Sequence, residues 1–154
     1  MSPIARTLAS ACDVASYVLQ KQGPMSSWKL QKLVYYCQAW SLVWDGRPLF
    51  SDNIKAWKNG PVVPDLYHKH KGLFLVEPGQ IPGDPSCFTP DQQETMDAVL
   101  GYYGGKSPQW LSDLTHMEEP WREAISNSGD NPSPIISLDS MAKYYESLMR
   151  DGGE

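Results

Sequence analysis

The sequence has few cysteines, and the three that it has are widely separated, at positions 12, 37 and 87. An odd number without a Cys-x-x-Cys pair gives neither a disulfide framework nor the usual cysteine ligands of a zinc site. The chain also lacks a basic-then-apolar leader and any apolar run of about 20 residues, the length that crosses a bilayer. These absences predict a cytoplasmic protein with reduced cysteines and no membrane contact.

Cofactor and metal motifs are missing as well. A phosphate loop of the form Gly-x-x-x-x-Gly-Lys-Ser/Thr is not completed at Gly105-Lys106, because Leu100 stands where the first glycine is needed. His68 and His70 are two residues apart, which on a helix places them on different faces. We therefore expect solvent-exposed histidines and no shared metal ion. The sequence predicts no cofactor and no metal.

One pair of residues has the chemistry of a hydrolase. Asp113 and His116 are three apart on a predicted helix, a spacing that allows a hydrogen bond. No serine or cysteine nucleophile motif accompanies them, so a general base at this position would have no nucleophile to activate. The sequence therefore predicts a protein that is not an enzyme.

The charge is unevenly distributed. The net charge is −5, but residues 1–76 carry nine Lys/Arg against four Asp/Glu, and the remainder carry four against fourteen. Either the two halves attract each other, or an acidic face is presented to a basic partner. The acidic total lacks the basic footprint of a nucleic-acid-binding protein.

Residues 27–45, SWKLQKLVYYCQAWSLVWD, are the most informative stretch, because nearly the whole circumference of a helix with this sequence is apolar or aromatic. Its polar side chains form two groups. Gln31, Gln38 and Asp45 are spaced by seven along one line of the helix, and Lys29 and Lys32 lie among the aromatic residues. Such a helix needs neighbours on several sides, so we expect a buried central helix, with Trp28 and Trp44 covered too.

Capping and periodicity place further helices at 4–22, 64–71, 90–103, from Ser107 onward, in a short turn at Pro120 and from Ser137 onward. A short strand is predicted within 50–57, with 73–76 or 87–88 as its partner. The predicted fold is mainly α: a compact helical domain around the helix at about 27–45, with a small β element near 50–60 and within 73–88. We expect one domain over residues 1–150 and a frayed tail at 151–154.

Six tryptophans and eight tyrosines are many for a chain of this size. Trp57 falls on the outer side of the predicted strand, beside Lys58, Asn59 and Pro61. Exposed aromatic residues of this kind anchor many protein–protein interfaces. The alternative is that Trp57 packs against the 64–71 helix of its own chain.

Three segments together resemble a known family: KLQKLVYYCQAW (29–40), RPLFSDNIKAWKNGPVVPDLY (47–67) and LSDLTHMEEPWREA (111–124). The chain resembles the Panacea, or SocA-like, antitoxin domain, also described as phage-associated, over residues 10–148. The resemblance implies a helical domain with a small β element, and a non-enzymatic antitoxin of a bacterial or phage toxin–antitoxin pair. Members of this family neutralise toxins by direct binding, and one branch presents its toxin to a protease.

The matched positions divide into two sets. We expect a scaffold set: Lys29, Leu30, Gln31, Lys32, Leu33, Tyr35, Tyr36, Trp40, Gly60, Pro64 and Trp121. We expect a partner-binding set: Trp57, Lys58, Asn59, Pro61 and Tyr67. The expected partner is a toxin encoded by an adjacent gene, with a protease as a further partner. The alternative function is a phage-derived, DNA-binding transcriptional regulator that uses the N-terminal helical hairpin.

Overall fold

The computed structural model describes residues 8–152, with side chains through residue 150. Within this range the helices are α1 (Ala11–Gln22), α2 (Ser27–Trp44), α3 (Pro64–His70), α4 (Pro90–Tyr103), α5 (Pro108–Met117), α6 (Glu119–Ser126) and α7 (Leu138–Gly152). The strands are β1 (Met25–Ser26), β2 (Lys55–Trp57), β3 (Gly60–Val62) and β4 (Leu75–Val76). The predicted mainly helical fold with a small β element is confirmed.

Helix α2 is the centre of the fold. It is buried at Ser27 and at every residue from 30 to 41, and α1, α4, α5 and α7 all pack against it. The prediction of a buried central helix is therefore confirmed. At its two ends the prediction was wrong, because Trp28 is 45% exposed and Trp44 is 44% exposed. Both rings lie outside the fully buried stretch of the helix.

Short polar side chains set the helix starts. Ser10 Oγ accepts a hydrogen bond from the Asp13 amide at 3.1 Å, and Asp13 Oδ2 accepts from the Ser10 amide at 2.8 Å. This capping box begins α1 at Ala11, so the predicted helical start was wrong for residues 8–10, and residues 4–7 lie outside the described residues. The predicted capping box of α4, between Thr89 and Gln92, is confirmed.

The polar line along α2 holds neighbouring backbone. Gln38 Oε1 accepts from the amides of Leu49 and Phe50 at 2.7 and 3.3 Å, and its Nε2 donates to the Phe50 carbonyl at 2.8 Å. Two turns earlier, Gln31 Oε1 accepts from the Val63 amide at 2.8 Å, and its Nε2 donates to the Val63 carbonyl at 3.3 Å. Because Leu49–Phe50 and Val63 flank the β2–β3 hairpin, the side-chain amides of Gln31 and Gln38 fix the hairpin against α2.

The strand pairings differ from the prediction. Strand β2 pairs antiparallel with β3, and β4 pairs with β1, the short strand that leads into α2. The expected pairing of 73–76 or 87–88 with β2 was therefore wrong. The segment between α6 and α7 makes a further contact with β2, where the Ala56 amide donates to the Pro134 carbonyl at 2.8 Å. Backbone groups of β2 are thus satisfied from a distant part of the chain.

A cluster of hydroxyl groups joins α2 to α7 around one carboxyl group. Tyr36 and Tyr145 both donate to Glu118 Oε1, at 2.8 and 2.7 Å, and the hydroxyls of Tyr35 and Tyr145 are 3.0 Å apart. Glu118 is 5% exposed. Burial raises the pKa of its carboxyl above the ordinary value, although the two tyrosine hydrogen bonds oppose the shift.

Candidate functional site

A groove of about 810 Å³ lies beside the β2–β3 hairpin. We call it the hairpin groove. Its lining comes from four segments: the first turns of α2 (27–32), the hairpin (57–62), the end of α3 with the following loop (67–74), and residues 132–133. Its volume lies within the range of pockets that bind ligands in other proteins.

Helices α5 and α6 hold the hairpin in place through its backbone. Trp121 Nε1 donates to the Trp57 carbonyl at 2.8 Å, and Ser112 Oγ donates to the Asn59 carbonyl at 3.0 Å. His116 Nε2 lies 2.7 Å from the Lys58 carbonyl. Three successive carbonyl groups of the turn are thus fixed. The side chains of Trp57, Lys58 and Asn59 line the groove.

Trp57 is half-buried and contacts its own chain on two sides. Its Nε1 donates to Ser133 Oγ at 2.8 Å, and its ring meets Tyr67 edge to face, with centroids 5.2 Å apart. Trp57 therefore packs against α3, as one of the two sequence interpretations expected. It also lines the hairpin groove with Tyr67. The two interpretations are compatible.

Four residues of the predicted partner-binding set come together in the hairpin groove: Trp57, Lys58, Asn59 and Tyr67. Pro61 departs from this expectation. It is buried in β3, and its carbonyl accepts a hydrogen bond from Lys32 Nζ at 3.2 Å. Its contribution is to hold Lys32, because a buried ring offers no surface to a partner.

Lys32 lines the groove although it is only 3% exposed. Desolvation lowers the pKa of its ammonium to about 8. Gly60 makes room for this side chain: its φ is +118°, and a Cβ at this position would stand 2.6 Å from Lys32 Cε. Only glycine adopts such a φ without strain, so the turn and the lysine depend on each other.

His70 also lines the groove, and its predicted exposure was wrong. The ring is 4% exposed, and its Nε2 lies 3.0 Å from Gln31 Nε2. Desolvation lowers the pKa of His70. The physical reason for its burial is that α3 packs against α1 and α2, while His68, two residues earlier, is exposed.

Sequence reasoning missed three apolar residues at the groove: Trp28, Leu73 and Phe74. Phe74 is 79% exposed, and its carbonyl accepts from the Ser27 amide at 2.9 Å, which ties its loop to the start of α2. A signal was present in the sequence, because two large apolar residues directly follow Gly72 in a loop. For Lys32, the signal was a lysine among aromatic rings on an otherwise apolar helix.

The structure separates the two residues of the hydrolase hypothesis. His116 Nδ1 lies 2.6 Å from the Ser112 carbonyl, and its Nε2 contacts the Lys58 carbonyl. Asp113 Oδ1 instead accepts from Gln109 Nε2 at 2.8 Å. Each residue thus has a different partner. Among residues 8–150, no group of three or more His, Cys, Asp or Glu side chains is placed to hold a metal ion.

No helix among the described residues is long and apolar enough to span a membrane.

The helices around α2 and the hairpin presented beside them define a helical domain of a known class. The chain belongs to the family described as Antitoxin SocA-like, Panacea domain, which matches residues 30–122. The matched range contains Lys32, the β2–β3 hairpin and Trp121.

The chain is similar to the protein named Antitoxin SocA from Caulobacter vibrioides (strain NA1000 / CB15N). The two are 43% identical over 134 residues, which cover 77% of this chain and 71% of that protein. No solved structure matches the chain. The family resemblance expected from the sequence is thereby confirmed.

Proposed function

We propose that this chain is the antitoxin of a bacterial or phage toxin–antitoxin pair, and that it neutralises its toxin by covering the toxin's working surface. The observation that carries the proposal is the position of the hairpin groove within a chain of this antitoxin family. Four residues predicted to bind a partner meet there, next to exposed apolar side chains. The toxin is the product of an adjacent gene.

The composition of the groove supports a protein partner. Aromatic residues are enriched at the centres of protein–protein interfaces, where a few of them supply most of the binding free energy. Trp28, Trp57, Tyr67 and Phe74 all line this groove. Phe74 in particular exposes 79% of its surface to water. Covering it with a partner removes apolar surface from solvent, which favours association.

Hydrogen bonds within the chain hold the segments that line the groove. The hairpin carbonyls are fixed by Ser112, His116 and Trp121, and the 73–74 loop is tied to Ser27. Association loses less conformational entropy when the contact residues already hold their positions. A preorganised face is therefore suited to tight binding.

The rest of the proposal concerns the chain as a whole. Residues 1–150 form one antitoxin domain, which works in the cytoplasm by binding alone, without catalysis, cofactor or membrane. Helix α7 supports the single domain because it packs on α2, where the hydroxyls of Tyr35 and Tyr145 are 3.0 Å apart. Residues 1–7 and 153–154, which include the end of the expected frayed tail, lie outside the described residues.

Co-expression tests the proposal. The genes adjacent to this one are expressed singly in a bacterial host, and those that arrest growth are expressed again together with this chain. We expect growth to be restored for one of them, and the two purified proteins to elute as one complex. If every neighbouring product is harmless, or remains toxic in the presence of this chain, the proposal is contradicted.

The same strains separate direct inhibition from presentation to a protease. An inhibitor leaves the toxin's half-life unchanged or longer, because the bound toxin is sequestered. An adaptor shortens the half-life, and growth is then lost when the host's ATP-dependent proteases are deleted. We propose direct inhibition, since a large preorganised groove is sufficient for it.

The N-terminal helical hairpin, formed by α1 and α2, does not support the alternative function of DNA binding. Reading DNA requires a helix whose side chains reach base edges in the major groove. Helix α2, the second helix of the hairpin, is buried continuously from residue 30 to residue 41. Its surface is occupied by the protein's own core.

A further inference from the structure

The hairpin groove is positively charged within an acidic protein. Among the described residues, the lining includes Lys32, Lys58 and Lys71 but neither Asp nor Glu, whereas the chain as a whole has a net charge of −5. The first turn of α2 also lines the groove, and the N-terminal end of a helix carries a partial positive charge. The local charge therefore favours an anionic group.

Lys32 has unused capacity to bind such a group. An ammonium has three donors, and the hydrogen bond that Lys32 makes within the described part of the chain goes to the Pro61 carbonyl. The ion pairs formed among those residues, Lys21 with Asp97 and Lys143 with Asp139, do not involve it. Lys32 is only 3% exposed, and a buried charge without an opposite charge is destabilising unless something pairs with it.

Desolvation lowers the pKa of Lys32 to about 8, and no carboxylate among the described residues forms an ion pair with it. Binding an anion beside it would stabilise the charged form. Four aromatic residues line the same groove as Lys32: Trp28, Trp57, Tyr67 and Phe74. The groove thus combines one buried cation with aromatic walls.

We propose that the hairpin groove binds an extended segment of the partner protein that carries an acidic side chain next to an aromatic or large aliphatic side chain. The carboxylate pairs with Lys32, and the apolar side chain packs between Trp57 and Phe74. This inference rests on the proposed function and names the chemistry of the toxin surface that is recognised. It assigns Lys32 a role in binding in addition to its place in the scaffold.

An extended segment fits the shape of the site. Four separate parts of the chain border the groove, and its rim residues Lys58, Lys71 and Phe74 are all exposed. In the proposed complex, one side chain of the bound segment reaches Lys32 while the backbone of that segment remains at the rim. Alternating side chains of an extended chain point to opposite sides, so specificity is set by a few anchors.

The test uses the whole protein, immobilised and probed with random dodecapeptides displayed on phage. Peptides that bind are synthesised with amidated ends, together with versions in which Glu is replaced by Gln or Asp by Asn. Affinities are measured for the wild-type protein, for Lys32→Met and for the control Lys29→Met, a half-buried lysine on the same helix outside the groove. Thermal unfolding of each variant confirms that it is folded.

We expect selected peptides to share an acidic residue beside an aromatic or large aliphatic one. Neutralising that residue should weaken binding to the wild-type protein about thirtyfold, and should have no effect on binding to Lys32→Met. Lys29→Met should bind within about twofold of the wild type. The inference is overturned if the acidic residue is dispensable, if Lys32→Met retains full affinity, or if no peptide is selected.

Two further outcomes would also overturn it. If the protein forms dimers that Trp57→Ala dissociates, the groove is occupied by a second copy of this chain. If only small carboxylates bind, the occupant is not a protein segment. Co-expression of the wild type with the toxin tests the proposed antitoxin function independently of this inference. Should the wild type and Lys32→Met neutralise the toxin equally, the inference fails while the antitoxin role stands.

Discussion

Lys32 Nζ donates a hydrogen bond to the Pro61 carbonyl at 3.2 Å, and this bond joins the central helix to the hairpin beneath the groove. The ammonium is held in an environment where its charged form is disfavoured, with a pKa of about 8. A group with this property makes the folded state less stable at neutral pH than a neutral residue would. Pairing with an anionic group of a partner would offset this cost.

Lys32→Met is therefore expected to raise the free energy of unfolding near neutral pH by about 2 kcal/mol, after allowing for the hydrogen bond lost by Pro61. Urea unfolding measures this. The stability difference between Lys32→Met and the wild type should shrink as pH rises from about 8 to about 9.5. In this range Lys32 keeps its proton in the unfolded wild type but loses it in the folded wild type.

The other titratable groups that line the groove are Lys58, Lys71, His70 and Tyr67, and they are the same in both proteins, so the comparison isolates Lys32. An advantage that is absent near neutral pH, or that grows with pH, would contradict the assignment of a destabilised ammonium.

Gly60→Ala is expected to lower the free energy of unfolding by about 2 kcal/mol or more. The φ of +118° is strained for alanine, and the new Cβ would stand 2.6 Å from Lys32 Cε. Thermal unfolding checks this. Gly101→Ala is the matched control, since its Cβ meets open space within α4 and alanine favours the helix by about 1 kcal/mol. Equal stability changes in the two variants would show that the hairpin does not require glycine.

Gln38→Leu is expected to cost about 3 kcal/mol, because the amides of Leu49 and Phe50 and the Phe50 carbonyl lose their partner in a buried site. Gln20→Leu, at an exposed position of α1, should change stability by less than about 0.5 kcal/mol. Chemical denaturation of both variants makes the comparison. A Gln38 variant as stable as the wild type would mean that the backbone there finds other partners.

Glu118→Gln tests the buried carboxyl group. Its folded-state pKa is raised above the ordinary value of 4.5 by burial. A raised pKa adds stability at low pH that is lost as pH rises through the folded-state value. Glutamine does not titrate, so the stability of this variant relative to the wild type should increase as the pH rises above about 4.5. A stability difference between Glu118→Gln and the wild type that does not change with pH would contradict the raised pKa of Glu118.

Much of the fold could be predicted because its determinants are local. The apolar circumference of α2 predicted its burial, and the Thr89 and Gln92 capping box predicted the start of α4. The partner of β2 could not be predicted, since the pairing with β3 and the contact with Pro134 depend on how distant segments meet. Short strands carry too little periodicity to specify a partner.

The candidate site was predicted in part for the same reason. Trp57, Lys58 and Asn59 are adjacent in the sequence, so their common position in the groove follows from one turn. Lys32 and Phe74 come from separate segments, and only the packing of α2 against the hairpin and the 71–74 loop brings them there. The burial of His70 likewise depends on Gln31 as a tertiary neighbour.

The most direct test of the account is the affinity of the purified chain for the toxin identified by co-expression, measured for the wild type, for Trp57→Ala and for Trp110→Ala. Trp110 is a matched control, because it is 39% exposed on α5 and lies outside the groove. We expect Trp57→Ala to weaken binding by about 2 kcal/mol or more, roughly thirtyfold, and Trp110→Ala to change it by less than about twofold. An unchanged affinity for Trp57→Ala, together with a lower melting temperature, would show that Trp57 belongs to the scaffold and that the toxin binds elsewhere.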